Sequence, residues 1–387
     1  MRRAALAFGG IALLLAAAGG CGSPPGGDDA AVATLQEDAA ASGFARAYAP
    51  RPLVFPADHG AHRDFRHEWW YVTGNLDAPG GRRFGFQITF FRYGLTARPL
   101  PRRSRWAAAE LYMAHFAVTD VANRRFRAYQ RRGRGALGLA GARLAPFRVW
   151  LDDWRLESFE GDELPWALAV REGDLALRLL LRNTKPPVLQ GEAGLSRKSA
   201  EPGNASYYYS ATRLQAEGML EVAGESFPVS GLAWLDREWS SSALAADQAG
   251  WDWFSLQFDD ATELMYYRLR RKDGSADPHS AGSLVAADGA KTPLRPEDVE
   301  LKVLDRWRTP DGAWYPARWS LAVKPLGKTW LIHPVVADQE LREGSFRYWE
   351  GAVDVFPADR PDRPAGRGYL EMTGYAAAVR PGAGERR

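Results

Sequence analysis

Apolar residues recur at every second position over much of this chain. In Arg83-Phe84-Gly85-Phe86-Gln87-Ile88-Thr89-Phe90-Phe91, the residues Phe84, Phe86, Ile88 and Phe90 fall on one side. Gly85, Gln87, Thr89 and Phe91 fall on the other. Leu111 to Asp120 keeps the same rhythm, with Tyr112, Ala114, Phe116 and Val118 opposite Met113, His115 and Ala117. Period two in aromatic and β-branched segments predicts antiparallel strands with one buried face. Trp69-Trp70-Tyr71-Val72-Thr73 predicts an earlier strand, closed by a turn at Asp77-Ala78-Pro79-Gly80-Gly81. No long amphipathic helix separates these segments. Many strands with short connections favour a closed barrel or a sandwich, because closure removes exposed sheet edges.

The pattern restarts at Gly250-Trp251-Asp252-Trp253-Phe254 and continues through 264–269, 314–323, 330–336, 348–356 and 368–375. Trp69-Trp70-Tyr71 and Trp251-Asp252-Trp253-Phe254 read as equivalent first strands of two related units. Ser, Ala and Gly predominate around 240–250, which sets a first unit at 51–243 and a second at 244–380. The expected fold is all-β, with two antiparallel β-barrels in tandem.

The N-terminal end has a different character. Arg2 and Arg3 precede an apolar run from Ala4 to Ala18, too short for a comfortable membrane span and ending in small residues. Ala18-Gly19-Gly20-Cys21 resembles a lipobox, which predicts a signal peptide at 1–20 and acylation of Cys21, the chain's single cysteine. Residues 21–50, small and polar, then form a flexible tether. Gly22, rather than Asp, after the cysteine favours an exported lipoprotein on the outer membrane, facing the periplasm.

One cysteine excludes a disulfide framework, so stability rests on apolar burial. The formal charge is +3, part of it from Arg2 and Arg3 in the segment to be removed, which gives no reason to expect nucleic acid as a partner. Local clusters such as Arg102-Arg103-Ser104-Arg105 read as solvated turns. Of the histidines, only His59, His62 and His67 come close together, without a further ligand at convincing spacing. Gly-rich phosphate loops and serine-nucleophile elbows are absent. Neither a metal nor a cofactor is expected.

His67-Glu68-Trp69-Trp70-Tyr71-Val72-Thr73-Gly74-Asn75-Leu76 is an uncommon string. It resembles the opening strand of the secreted lipocalin-like family that includes carotenoid 1,2-hydratases and AttH-like proteins. The strand with His115, the segment Gly231 to Trp239 and the ending Gly368 to Tyr375 agree with it, so the resemblance spans roughly Val54 to Tyr375. It implies lipocalin-like barrels and an apolar ligand, a lipid or isoprenoid-like molecule. The family's hydratases protonate an alkene and quench the carbocation with water. They carry His-Asn-Trp near the end of the first unit, and a Tyr with a nearby Asp about two dozen residues later. Here the first element reads Arg237-Glu238-Trp239, and Tyr266-Tyr267 is followed by Arg268-Leu269 without a carboxylate. The hydratase proton donor has no clear counterpart, so the chain resembles the AttH-like branch, which implies an ABC-type permease complex as partner.

Candidate chemistry concentrates at Asp236, Arg237 and Glu238, flanked by Trp234 and Trp239. One carboxylate with a raised pKa would serve as general acid while Arg237 orients a substrate oxygen. The competing arrangement, which is favoured, is a salt-bridge cluster closing one end of the first barrel. Trp69 and Tyr71 share the side of His67, while Trp70 and Val72 share that of Glu68. His67, Trp69 and Tyr71 would suit a barrel-lining ligand pocket, or His67 and Glu68 would cap the barrel base. His115 would meet Gln87 and Thr89 across the sheet. Trp239, Trp253, Tyr266 and Tyr267 complete the candidate ligand-binding set. The leading expectation is a lipid-anchored binding protein for an apolar molecule, accessory to ABC-type transport. The alternative is a hydratase, cyclase or isomerase acting on an isoprenoid-like alkene, and a third is a scaffold that binds envelope proteins.

Overall fold

The computed structural model describes residues 43–376 except 98–103, 160, 162, 243 and 343–346. Cys21, most of the tether and Arg102-Arg103 lie outside the described residues.

Two antiparallel sheets account for most of the described chain. The first opens with β1 (His67–Ala78), β2 (Arg82–Gly94), β3 (Glu110–Asp120) and β4 (Arg125–Arg134). Short strands follow: β5 (Ala140–Arg143), β6 (Arg148–Leu151), β7 (Trp154–Ser158), β8 (Trp166–Glu172) and β9 (Leu175–Asn183). It ends with β10 (Val188–Leu189), β11 (Leu195–Arg197), β12 (Ala205–Val222) and β13 (Glu225–Ser240). Its ladder runs β4-β3-β2-β1-β13-β12-β9-β8-β7-β6-β5, with β10 and β11 also paired to β12. The β1–β2 turn falls at Pro79-Gly80-Gly81, where Gly80 and Gly81 take φ of 75° and 76°, values that favour glycine.

The second sheet has β14 (Gln248–Phe258), β15 (Glu263–Arg271), β16 (Ala281–Val285), β17 (Lys291–Leu294) and β18 (Val299–Arg308). It continues with β19 (Trp314–Val323), β20 (Lys328–Pro334), β21 (Glu340–Leu341), β22 (Tyr348–Pro357) and β23 (Gly366–Met372). The ladder runs β17-β16-β15-β14-β23-β22-β20-β19-β18.

Neither ladder pairs its two end strands, yet each sheet curls onto a core of its own, giving near-barrels of lipocalin-like form. Phe84, Phe86, Ile88 and Phe90 of β2 and Phe116 and Val118 of β3 point into the first shell. There they meet Trp154, Leu156, Trp166 and Leu168 from the far end of the ladder. Phe116 meets Trp154 edge-on at 5.7 Å, and the Arg131 guanidinium of β4 lies 4.6 Å over the same indole. Phe254 and Trp319 make the corresponding contact across the second shell at 5.4 Å.

The outer faces of the two shells pack on each other. Tyr71 meets Trp253 edge-on at 5.2 Å, Thr119 Oγ1 donates to Gln339 Oε1 at 2.6 Å, and Asn75 Nδ2 donates to the Gly368 carbonyl at 3.1 Å. Gly85 makes the closest approach: a Cβ there would stand 2.6 Å from the Ala352 methyl. Gly85→Val should therefore wedge the sheets apart, at a cost of about 1–3 kcal/mol as for other overpacked sites. Thermal melting checks this; an unchanged melting temperature would show that the contact gives way freely.

Candidate functional site

Strand alternation places a cavity between the two outer faces. On β1, Trp70 and Val72 enter the first core, which turns His67, Trp69 and Tyr71 outward. The expectation of a barrel-lining pocket is corrected here, because these side chains line a space of about 200 Å³ outside both shells. Register fixes the wall. Trp69 stands opposite Glu238, which stands opposite Tyr208; Tyr71 stands opposite Asp236, which stands opposite Ser210. Thr89 lies beside Tyr71 and His115 beside Thr89, so β2 and β3 extend the same face. The second sheet contributes a facing row of Tyr267, Trp253, Glu371 and Glu350 across four neighbouring strands.

Asp236 receives three hydrogen bonds. Ser210 Oγ and Trp234 Nε1 donate to Oδ1 at 2.6 and 2.7 Å, and the Tyr208 hydroxyl donates to Oδ2 at 2.5 Å. Burial nonetheless outweighs these donors and pushes its pKa up to about 7. Glu238 pairs with Lys198 Nζ at 3.0 Å and accepts from Ser206 Oγ. The Lys198 ammonium also lies 4.4 Å over the Tyr267 ring.

Glu350 and Glu371 are directly opposite across β22 and β23. Trp251 Nε1 donates to Glu371 at 3.0 Å, and burial pushes the Glu371 carboxyl up to about 8. Glu350 is 1% exposed, and neither of its oxygens meets an aligned donor, although the Tyr71 and Tyr348 phenols approach it. Burial first, and then the neighbouring Glu371, raise its pKa well above the usual carboxylate range. Sequence reasoning missed this pair. The available signal was a carboxylate flanked by apolar residues in each strand, Tyr348-Trp349-Glu350-Gly351-Ala352 and Tyr369-Leu370-Glu371-Met372.

Of the residues expected at the site, His67, Trp69, Tyr71, His115, Asp236, Glu238, Trp253 and Tyr267 line the cavity, whereas Arg237, Trp239, Gln87 and Tyr266 do not. Arg237 and Trp239 alternate with Asp236 and Glu238, so they point to the opposite face of β13. There Arg237 Nη2 binds Glu68 at 2.9 Å, Nη1 binds the Trp69 carbonyl at 2.7 Å, and the guanidinium lies 4.0 Å over Trp70. Trp239 stacks on His62 at 3.7 Å. Gln87 is fully buried and donates to Thr89 Oγ1 at 2.5 Å, and Tyr266 belongs to the second core. His59, His62 and His67 diverge: His59 Nδ1 bonds Tyr209 OH at 2.6 Å, His62 lies between Asp58 and Glu68, and His67 faces the cavity. Among the described residues, no three His, Cys, Asp or Glu side chains converge as a metal site.

These shifts bear on stability. Asp236, Glu350 and Glu371 keep protons in the fold that the unfolded chain releases above the ordinary carboxylate range, so stability falls as pH rises through their folded values. Burial lowers His67 to about 4 and His115 to about 3, and that contribution is lost only as pH falls below the ordinary imidazole value. From roughly pH 6.5 to 8.5 the carboxyls therefore dominate, and the melting temperature should fall. Glu371→Gln should flatten that decline; an equal decline in the variant would remove Glu371 as its source.

Comparison with known proteins gives one family and one fold. The family model described as AttH-like matches residues 46–375. The crystal structure of a protein assigned as AttH from Nitrosomonas europaea is 39% identical, with a TM-score of 0.77, covering 86% of this chain and 100% of that one. Kievitone hydratase from Nectria haematococca is 15% identical with a TM-score of 0.63, covering 87% of this chain and 96% of that one, a likeness of fold. No curated protein matches the chain.

Proposed function

The chain belongs to the AttH-like family, and from that premise we propose that its inter-sheet cavity is the active site of an acid–base enzyme. It adds water to, or removes water from, the double bond of an uncharged, apolar, isoprenoid-like molecule. The observation that carries this reading is the set of buried carboxyls with raised pKa, Asp236, Glu350 and Glu371, on an aromatic-walled cavity. A carboxylic acid kept protonated near neutral pH is what alkene protonation requires. The faces of Trp69, Trp253 and Phe91 suit a developing cation. That a protein of this fold is named a hydratase makes this chemistry the first to assay.

The charge pattern supports an uncharged substrate. Lys198 is committed to Glu238, Arg347 to Glu340 and Asp311, and burial favours neutral His67 and His115. Among the described lining residues, that leaves no cation free for a carboxylate or phosphate head group. Incubating the protein with a panel of isoprenoid alkenes in isotopically labelled water should yield one product carrying labelled oxygen. Alkenes that are retained but come back unaltered would instead support a carrier, such as an accessory to ABC-type export, and would end the enzyme reading.

A further inference from the structure

The two sides of the cavity are not equivalent, and their difference divides the chemistry. Asp236, on the first sheet, has donors that favour its charged form and offset part of the burial that raises its pKa. The Ser210 hydroxyl accepts from Gln190 Nε2 at 2.9 Å, so its single proton is left for Asp236. Gln190 is itself oriented by Ser283 Oγ at 2.9 Å. Tyr208 accepts from Trp253 Nε1 at 3.2 Å, and its single proton is likewise left for Asp236. Every donor around this carboxyl is thus aimed at the ionised form.

Glu350, on the second sheet, has the opposite surroundings. It is buried, the Tyr71 and Tyr348 phenols that approach it are not aligned to donate, and a second carboxyl, Glu371, sits directly across the strand pair. The other titratable groups bearing on it are Tyr71, Tyr348 and Tyr369, with His115 bonded to Tyr348 at 2.6 Å. Asp236 and Glu238 bring further negative charge to the cavity's far wall, and the two nearby cations, Lys198 and Arg347, are paired elsewhere. Like charges on facing strand positions resist joint ionisation, and Glu350, without an indole donor such as Trp251 gives Glu371, holds its proton the more firmly of the two.

Resting on the active-site reading above, we propose that Glu350 is the proton donor and Asp236 the proton acceptor, so that the new C–H and C–O bonds are served from opposite sheets. The Glu350 proton passes to one alkene carbon, and the π pair becomes the C–H bond. The cation left on the other carbon lies among the indoles of Trp69 and Trp253. A water oxygen forms the C–O bond with its lone pair, and the proton it sheds goes to the Asp236 carboxylate. Asp236 then loses that proton to solvent and Glu350 regains one, so the net change is one water added.

Infrared difference spectra of the full chain at neutral pH, wild type against Glu350→Gln, test this without any substrate. The expected result is loss of a protonated-carboxyl band. A band that persists unchanged overturns the assignment while leaving the active-site reading intact. With a substrate in hand, Glu350→Gln should slow turnover by about 10²–10⁴-fold with no loss of melting temperature. Ser210→Ala should move the rising limb of the pH–rate profile upward by about one unit, because the Asp236 anion loses a donor. A Glu350→Gln rate within tenfold of wild type, or a limb that stays in place in Ser210→Ala, overturns the division of labour. Failure of every alkene to react overturns the enzyme reading instead, whatever the spectra show.

Discussion

Asp236→Asn should lower turnover of any converted alkene by about 10²–10⁴-fold while leaving the fold intact. The asymmetry follows from the partners. An Asn oxygen at the Oδ1 position can still accept from Ser210 and Trp234, and its amide can donate to Tyr208, whose oxygen has a further lone pair. Shape and the contacts to Ser210 and Trp234 survive, while the Tyr208 proton must turn away from the amide; the negative charge and the ability to accept a proton are lost. Because burial of that carboxyl is unfavourable above pH 7, the melting temperature at pH 8 should stay level or rise. Rate and melting measured on one preparation separate the two effects. A variant that keeps its rate removes Asp236 from the chemistry, and one that melts early makes the residue structural.

The strands were legible because period two is a local property. Phe84 to Phe90 and Tyr112 to Val118 face one core as the alternation requires, and the same rule puts Trp69 and Tyr71 with His67 on the other side. The rule also places Asp236 and Glu238 together and sends Arg237 away, a separation that a single Asp-Arg-Glu constellation obscured. What alternation cannot supply is the partner of a face. Each strand has two sides, and aromatic residues occupy both in β1 and β14. Nothing in the sequence states that the outer faces meet each other, so the pocket was expected inside a barrel. Glu350 and Glu371 became a pair only through the β22–β23 register, which joins positions from separate segments of the chain. Lys198 and Arg347 reach the cavity from outside the strands and carry no periodic signal at all.

Glu68→Ala should cost about 3–5 kcal/mol of stability, a larger loss than the overpacked interface glycine is expected to cause. Glu68 is fully buried and receives Arg92 on one oxygen and Arg237 on the other, with His62 also bonded to it. These guanidiniums hold its pKa well below the ordinary carboxylate range despite burial. Removing the carboxylate leaves two buried guanidiniums, of which Arg92 retains only Glu110 at 3.3 Å as an anionic partner. The damage reaches the cavity because Arg237 also binds the Trp69 carbonyl, so the strand that presents Trp69 and Tyr71 loses an anchor. A lowered folded pKa contributes stability above the ordinary carboxylate value that is lost as pH falls through it, so the penalty should shrink toward acid pH. Urea midpoints at neutral and acid pH measure this. Replacing all three charges with Glu68→Leu, Arg92→Met and Arg237→Met should recover part of the loss, since an apolar substitute avoids the cost of desolvating ions. Recovery stays partial because the carbonyls of Gly60, His62, Phe65 and Trp69 lose their donors. A triple variant less stable than Glu68→Ala would mean that these carbonyl contacts, and not the ion cluster, hold the base of the first shell together.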